Sequence, residues 1–300
     1  MLADLPPPAA GKPLPPGLYL VATPIGNAAD ITLRALDTLK RATAVACEDT
    51  RVTGRLMTIH GIPTPLVPYH EHNAARMRPQ LIRRMQGGDA VALVSDAGTP
   101  LVSDPGYKLV RECVEAGVAV TTLPGPSAPL AALLLSGLPS DRFLFAGFLP
   151  NKSAARRTAI AEVKAVPATL IFFDSPQRLA ASLADLAAVL GPRPAAVARE
   201  LTKLYEEVRR GPLDELAAHY EQAGPPRGEI VIVVGAPSAD SADQGVDLDT
   251  ALRDALTRLS VRDATAAVTA LTGRPKREVY ARALELAREA DGVDGGTEAP

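Results

Sequence analysis

Four short segments of this sequence carry residue types suited to holding a polar small molecule: TPIGN at 23–27, EDTR at 48–51, SDAGTPLVSDPG at 95–106 and PGPSA at 124–128. Glycine, proline, serine and threonine dominate them, so backbone groups and hydroxyls can approach a ligand closely. The twelve-residue segment holds two Asp, two Gly and two Pro, more than a simple connection requires. EDTR adds two adjacent acids, Glu48 and Asp49, beside Arg51, and a second acid–base group stands at Glu200 and Lys203. Carboxylates beside cations are the equipment of proton transfer and of anion recognition. Other chemistries lack their signatures. No GxGxxG follows the first strand, and neither GxxxxGK[ST] nor GxSxG occurs. His70 and His72 flank Glu71, but no further clustered ligands accompany them, so no metal is expected.

The elements that must position these segments alternate between strand-like and helical patterns. Strands are expected at 18–23, 44–48, 90–96, 118–124, 142–147, 169–174, 195–200 and 229–235. Most are near-continuous apolar runs, which suits strands covered on both faces in a largely parallel sheet. Between them, Asp104 and Pro105 open one helix that Gly117 ends; Ser175 and Pro176 open another that Gly191 ends, with Leu179, Leu183, Leu186 and Leu190 as its apolar stripe. The order is α/β, and ligands of open α/β sheets sit beyond the carboxyl ends of the strands, where all four loops would gather if the strands are parallel.

Three hundred residues favour two domains. A proline-rich lead-in (1–16) precedes an α/β domain at 17–125, a second at 126–236, a small polar linker at 237–247, helices at 248–290 and a disordered tail at 291–300. The lead-in has no apolar core of a signal peptide, and no apolar stretch is long enough to span a bilayer. Cys47 and Cys113 are too few for a disulfide framework and fit buried thiols in a reducing cytoplasm. A net charge of −2 leaves nucleic-acid contacts to local clusters of Lys and Arg. With 4% aromatic residues and no tryptophan, a base-stacking platform is not expected.

Taken in order, TPIGN, EDTR, SDAGTPLVSDPGY, PGPSA, GLPSDRFLFAGFLP and RELTKLYEE resemble the ribosomal RNA small subunit methyltransferase I family, within the tetrapyrrole methylase superfamily. The resemblance spans 17–235, and TALTGRPKREVYARALEL is similar to that family's helical extension. It implies two α/β domains with a cofactor cleft between them, a homodimer, and 2′-O-methylation of a cytidine ribose in the decoding region of 16S rRNA. It places S-adenosylmethionine against Pro24, Ile25, Gly26, Asp96, Ala97, Gly98, Thr99, Val102, Ser127 and Ala128. One segment departs from the family pattern: FDSPQR stands where YESPHR is usual, so Asp174 is a shorter acid and Gln177 cannot titrate.

A ribose hydroxyl is a poor nucleophile at neutral pH, so methyl transfer to it calls for a base or a polarising cation. Asp49 or Glu200 is the expected proton acceptor, with Arg51 and Lys203 orienting phosphate or polarising the ribose. RNA contacts are expected first at Lys152, Arg156 and Arg157, with further patches at Arg76, Arg78, Arg83 and Arg84, at Arg209 and Arg210, and at Arg274, Lys276 and Arg277. Phosphate-dominated binding and strong salt dependence follow. Three other readings remain open: a methyltransferase acting on a corrinoid or porphyrin precursor, a non-catalytic RNA-binding assembly factor, and a DNA-binding regulator built on the C-terminal helices.

Overall fold

A computed structural model describes residues 13–103, 106–237, 248–272 and 274–293, with side chains to 289. The first sheet consists of β1 (Gly17–Val21), β2 (Ala44–Cys47), β3 (Leu66–Pro68), β4 (Ala90–Val94) and β5 (Val120–Leu123), in the order β3-β2-β4-β1-β5. All its pairings are parallel. The crossovers run through α1 (Leu33–Arg41), α2 (Thr50–Ile59), α3 (Glu71–Gln86) and α4 (Tyr107–Glu115). β2 and β4 are buried along their whole length, which is why AVAC and AVALV carry no polar alternation. The expected cap at Asp104–Pro105 lies outside the described residues.

The second sheet contains β6 (Phe143–Phe148), β7 (Thr169–Asp174), β8 (Pro194–Arg199), β9 (Glu207–Pro212) and β10 (Ile230–Val234), in the order β6-β7-β10-β8-β9. Here the expectation of a largely parallel sheet fails. Only β6–β7 is parallel; β10 runs antiparallel to both β7 and β8, and β8–β9 is an antiparallel pair. The physical reason is that a strand buried on both faces reads as one apolar run in either direction. IVIVV is buried throughout, as is most of TLIFFD. Helices α5 (Ala128–Ser136), α6 (Ser153–Val163), α7 (Leu179–Leu190) and α8 (Leu213–Ala223) accompany this sheet. The leucine stripe of α7 is buried as expected. Ser175 does not cap it, because Pro176–Arg178 forms a 3-10 turn and the Ser175 hydroxyl accepts from Arg178 Nε at 3.1 Å.

β3 and β9 were not expected. β3 is three residues bracketed by prolines, and β9, EVRRGP, is a charged edge strand that reads as a surface patch. Two compact units emerge from the contacts. One holds both sheets; the other holds residues 164–167 and the chain from 236 onward. In the latter, α9 (Leu248–Leu256), α10 (Val261–Thr272) and α11 (Lys276–Val293) close a core of Leu248, Leu252, Val268, Val279, Ala283 and Leu286. Most of the expected lead-in, linker and tail falls outside the described residues.

Candidate active site

The loops after β1, β2, β4 and β5 are tied to one another. The buried Thr23 hydroxyl donates to the Ser95 carbonyl (3.1 Å), and Thr23 and Gly98 exchange backbone hydrogen bonds of 2.9 and 3.1 Å. Thr99 Oγ1 donates to the Pro126 carbonyl (3.0 Å), and the Asp49 backbone N–H donates to Asp96 Oδ1 (3.1 Å). Gly98 adopts φ +82°, and a Cβ there would stand 3.2 Å from Ile25 Cγ2. Leu101 and Ser103 in the same loop also take positive φ, 74° and 62°. Backbone strain of this kind is held only where the surroundings over-determine it.

These loops border a cavity of about 460 Å³, within the range of small-molecule sites. Ile25, Asp96, Ala97, Gly98, Thr99, Val102, Ser127 and Ala128 line it, joined by Glu48. Pro24 and Gly26 do not. Gly26 lies against the stem of Lys203, whose Cγ would come within 2.4 Å of an added Cβ. The opposite wall is Phe148, Phe173, Asp174, Ser175, Pro176 and the stretch from Gly228 to Val231. In the sequence FDSPQR stands out only as a departure from the family wording, and the stretch from Gly228 to Val231 reads only as the approach to a strand. Antiparallel pairing explains the latter: Ile230 sits opposite Asp174, so the start of β10 reaches the edge where β7 ends.

Phe148, 61% exposed, and Phe173 form a tilted pair with centroids 5.2 Å apart on this wall. Low aromatic content therefore hides a local concentration of rings at this cavity. Asp174 is buried, with Oδ1 bonded to Arg178 Nη2 at 2.5 Å and to the Ser175 N–H at 2.8 Å. Its Oδ2 has no hydrogen-bond partner among the described residues.

The acid–base candidates divide into two groups. Asp49 is the N-cap of α2; its Oδ1 accepts from the Arg51 N–H (2.8 Å), and its Oδ2 from Arg51 Nη2 (2.6 Å). Those hydrogen bonds hold its carboxyl down to about 2. Asp49 is at the rim, between the cavity-lining Glu48 and its bond to Asp96, and the Arg51 side chain is 89% exposed. Glu200, at φ +50°, bonds Lys203 Nζ (2.8 Å) and the Glu229 N–H (3.1 Å), and the Lys203 bond is the main reason its carboxyl is held below the usual range. Burial pulls the Lys203 ammonium down, but its bonds to Glu200 and Glu229 outweigh that and raise it. Glu200 and Lys203 lie behind the wall: Gly228 rests on the Glu200 side chain as Gly26 rests on Lys203. They brace two glycine turns rather than face the cavity.

Among the cations expected to bind RNA, Arg156 is corrected. Its side chain is only 5% exposed and is saturated by Asp185 Oδ2 (2.7 Å from Nε) and by the carbonyls of Pro150 and Asn151. Arg157 shares Asp185 (2.6 Å) but is exposed, as is Lys152. Arg78 is paired with Glu112 and Arg84 with Asp89, each at 2.6 Å, while Arg210 Nε donates to the Leu135 carbonyl at the end of α5. Tyr69 is buried and Tyr107 exposed; both border a second cavity of about 700 Å³ that shares Glu48 and Ser103 with the first. His70 precedes α3, its backbone N–H bonded to Asn73 Oδ1 (3.0 Å). No group of metal-binding side chains occurs among the described residues, nor does any helix long and apolar enough to cross a membrane.

A parallel sheet joined to a mixed sheet, with strand-end loops closing a cavity, is an arrangement shared by a class of methyltransferases. The family model for tetrapyrrole (corrin/porphyrin) methylases matches residues 17–217, and the chain belongs to that family. Within it, the relatives are specific. The chain is 55% identical to ribosomal RNA small subunit methyltransferase I of Mesorhizobium japonicum (95% of this chain, 97% of that one) and 50% identical to the protein of the same name from Micromonospora olivasterospora (93% and 90%). Residues 242–287 match the RsmI C-terminal HTH domain. Among solved structures, uroporphyrin-III C-methyltransferase from Thermus thermophilus, complexed with S-adenyl homocysteine, is similar at TM-score 0.52 and 23% identity, over 73% of this chain and 97% of that one.

Proposed function

We propose that the protein methylates the ribose 2′-hydroxyl of a cytidine in the decoding region of 16S rRNA, with S-adenosylmethionine as donor. The observation that carries this reading is the single cavity bordered by the four loops of a chain whose relatives bear the name of a small-subunit rRNA methyltransferase. The donor fits the residues present. Gly98 leaves a cradle that a Cβ would narrow, the backbone of Ala97 to Thr99 offers polar groups, and Ile25, Val102 and Phe173 supply apolar wall. When bound, S-adenosylmethionine supplies a methyl group activated by a sulfonium. Ser127 and Ala128, at the start of α5, and Asp96 complete its proposed contacts, while Pro24 and Gly26 hold the first turn in shape.

In this reading Asp49 takes the proton of the attacking hydroxyl at its carboxylate, and Arg51 binds an adjacent phosphate. Drawing the Arg51 guanidinium away relieves the side-chain hydrogen bonds that do most to depress the Asp49 carboxyl, while the backbone N–H bonds of the cap remain, and the acceptor becomes more basic when RNA is in place. Glu200 and Lys203 act as positioning residues through the Gly26 and Gly228 turns. Lys152 and Arg157 contact phosphate, and the bound RNA is expected to weaken steeply with salt. Asp49→Ala should lower turnover by about 10²- to 10⁴-fold, the usual worth of a positioned acid or base, with unchanged donor affinity by calorimetry. Unchanged turnover would remove Asp49 from this role.

The two-domain division at 125/126, a cytoplasmic site of action and a homodimer belong to the same proposal. α5 exposes Leu130 and Leu134, the latter 78% accessible, an apolar face suited to a second copy. Leu134→Asp is expected to shift the protein to monomer in sedimentation; a monomeric wild type would contradict the dimer.

The activity is tested by incubating the protein and radiolabelled S-adenosylmethionine with small subunits lacking the modification, then digesting the RNA to nucleosides. Label in 2′-O-methylcytidine supports the reading. Label on a corrinoid or porphyrin precursor, or donor binding without transfer, overturns it.

A further inference from the structure

We infer that the cleft between α10 and α11 in the C-terminal unit is a second RNA site, one that grips the phosphodiester backbone through Arg262, Lys276 and Arg277. The inference rests on the RNA-directed activity proposed above, but the site is separate from the methyl-transfer cavity. Arg262, Thr265, Lys276, Arg277 and Tyr280 line a concavity of about 480 Å³. Tyr280 stands four residues beyond Lys276 and three beyond Arg277 in α11, so it neighbours both on the helix surface, and Arg262 meets them from the start of α10.

These three cations converge on one concavity, whereas most of the unit's others are held in ion pairs. Arg258 pairs with Asp254, Arg274 with Glu278 at 3.0 Å, and Arg282 with Asp249 at 2.5 Å and Glu285 at 2.7 Å. The acids beside the cleft are engaged elsewhere: Asp263 accepts from the Ser260 hydroxyl at 2.7 Å, and Glu278 holds Arg274. Arg262, Lys276 and Arg277 are exposed and have no ion-pair partner among the described residues. Three unneutralised charges in one concavity repel one another and attract a polyanion.

The chemistry of the lining selects a backbone rather than a base. The Thr265 hydroxyl is spent on the Val261 carbonyl at 2.6 Å, and the lining holds no Asn or Gln. Tyr280, 45% exposed, offers a ring beside the cations, on which a neighbouring unpaired base can stack. The expected recognition is thus phosphate-led and sequence-tolerant, anchoring the substrate while the cavity loops choose the nucleotide.

The test uses the full chain. The triple variant Arg262→Gln/Lys276→Gln/Arg277→Gln is compared with wild type and with Arg253→Gln, which alters an exposed cation outside the cleft. Binding to small subunits lacking the modification is measured across a salt series. Each lost phosphate contact removes about 0.7–0.9 from the slope of log K against log salt, so the triple variant should lose about 2–3 while Arg253→Gln changes little. KM for the subunit should rise at least about tenfold, with kcat, donor affinity and melting temperature retained. An unchanged slope and KM overturns the inference, as does a loss confined to duplex DNA. If wild type binds the subunit with the expected salt slope but transfers no methyl group, the activity reading fails and this site stands.

Discussion

Gly98→Val is expected to abolish donor binding while leaving the protein folded. Gly98 sits at φ +82°, where an L side chain costs roughly 1–2 kcal/mol, and a β-branched residue is least tolerant of that region. A Cβ would already press on Ile25 Cγ2 at 3.2 Å, and the two methyl groups beyond it must displace either Ile25 or the cavity wall. Ile25 cannot yield easily. It belongs to the core of the second sheet, packed with Leu133, Ile171 and Val231. Rearranging the Thr23–Gly98 bridge would also release the TPIGN loop from the SDAGTP loop. A loss of at least about 100-fold in affinity by calorimetry, near 2.8 kcal/mol at 1.4 kcal/mol per decade, is the expected outcome. Gly98→Ala should be intermediate. Wild-type affinity in the valine variant would show that the donor lies elsewhere.

The largest effect on stability belongs to Asp185. Its side chain and that of Arg156 are each 5% exposed, and the carboxylate also accepts from Ser153 and Arg157. Removing one member of a buried pair strands the other, at about 3–5 kcal/mol, so Asp185→Ala should lower the melting temperature by roughly 6–20 °C at 2–4 °C per kcal/mol. Asp185→Asn keeps the shape and should recover only part of the loss. Arg156→Met leaves the Asp185 carboxylate still bonded to Arg157 and Ser153, and should cost less than Asp185→Ala. The pH dependence has a definite sign. Burial pushes the Asp185 carboxyl up, but its hydrogen bonds to Arg157, Ser153 and Arg156 outweigh burial and hold it below its ordinary value. A depressed carboxyl stabilises above the unfolded value, about 3.9, and that contribution fades as pH falls through the folded one. Wild type should therefore lose stability below about pH 4 more steeply than Asp185→Asn; parallel curves would contradict the assignment.

Much of this architecture is legible in the chain itself. All eight expected strands form within a few residues of their expected ends, because glycine, proline and capping residues punctuate them. Eight of the ten residues that the family resemblance places against a cofactor line one cavity, and the loops that carry them are the ones whose composition lets a backbone approach a ligand. Strand direction was not legible in the second sheet. Ile230–Val234 is apolar whichever way it runs, and its reversal is what brings Gly228 to Val231 to the cavity. Nor does a sequence distinguish a buried cation from an exposed one: Arg156 and Arg157 are neighbours that share Asp185, yet one is buried on it and the other is exposed. The pairing of Glu200 with Lys203 beneath two glycine turns is likewise a matter of three-dimensional reach.

Hydrogen exchange of the full chain, with and without saturating S-adenosylmethionine, puts the whole account to proof in one measurement. Protection is expected over residues 95–99, 127–129, 172–176 and 228–231, from both sheets at once, and should vanish in Gly98→Val. An exchange pattern that the donor leaves unaltered, or protection confined to other surfaces, would contradict the cavity as the seat of methyl transfer.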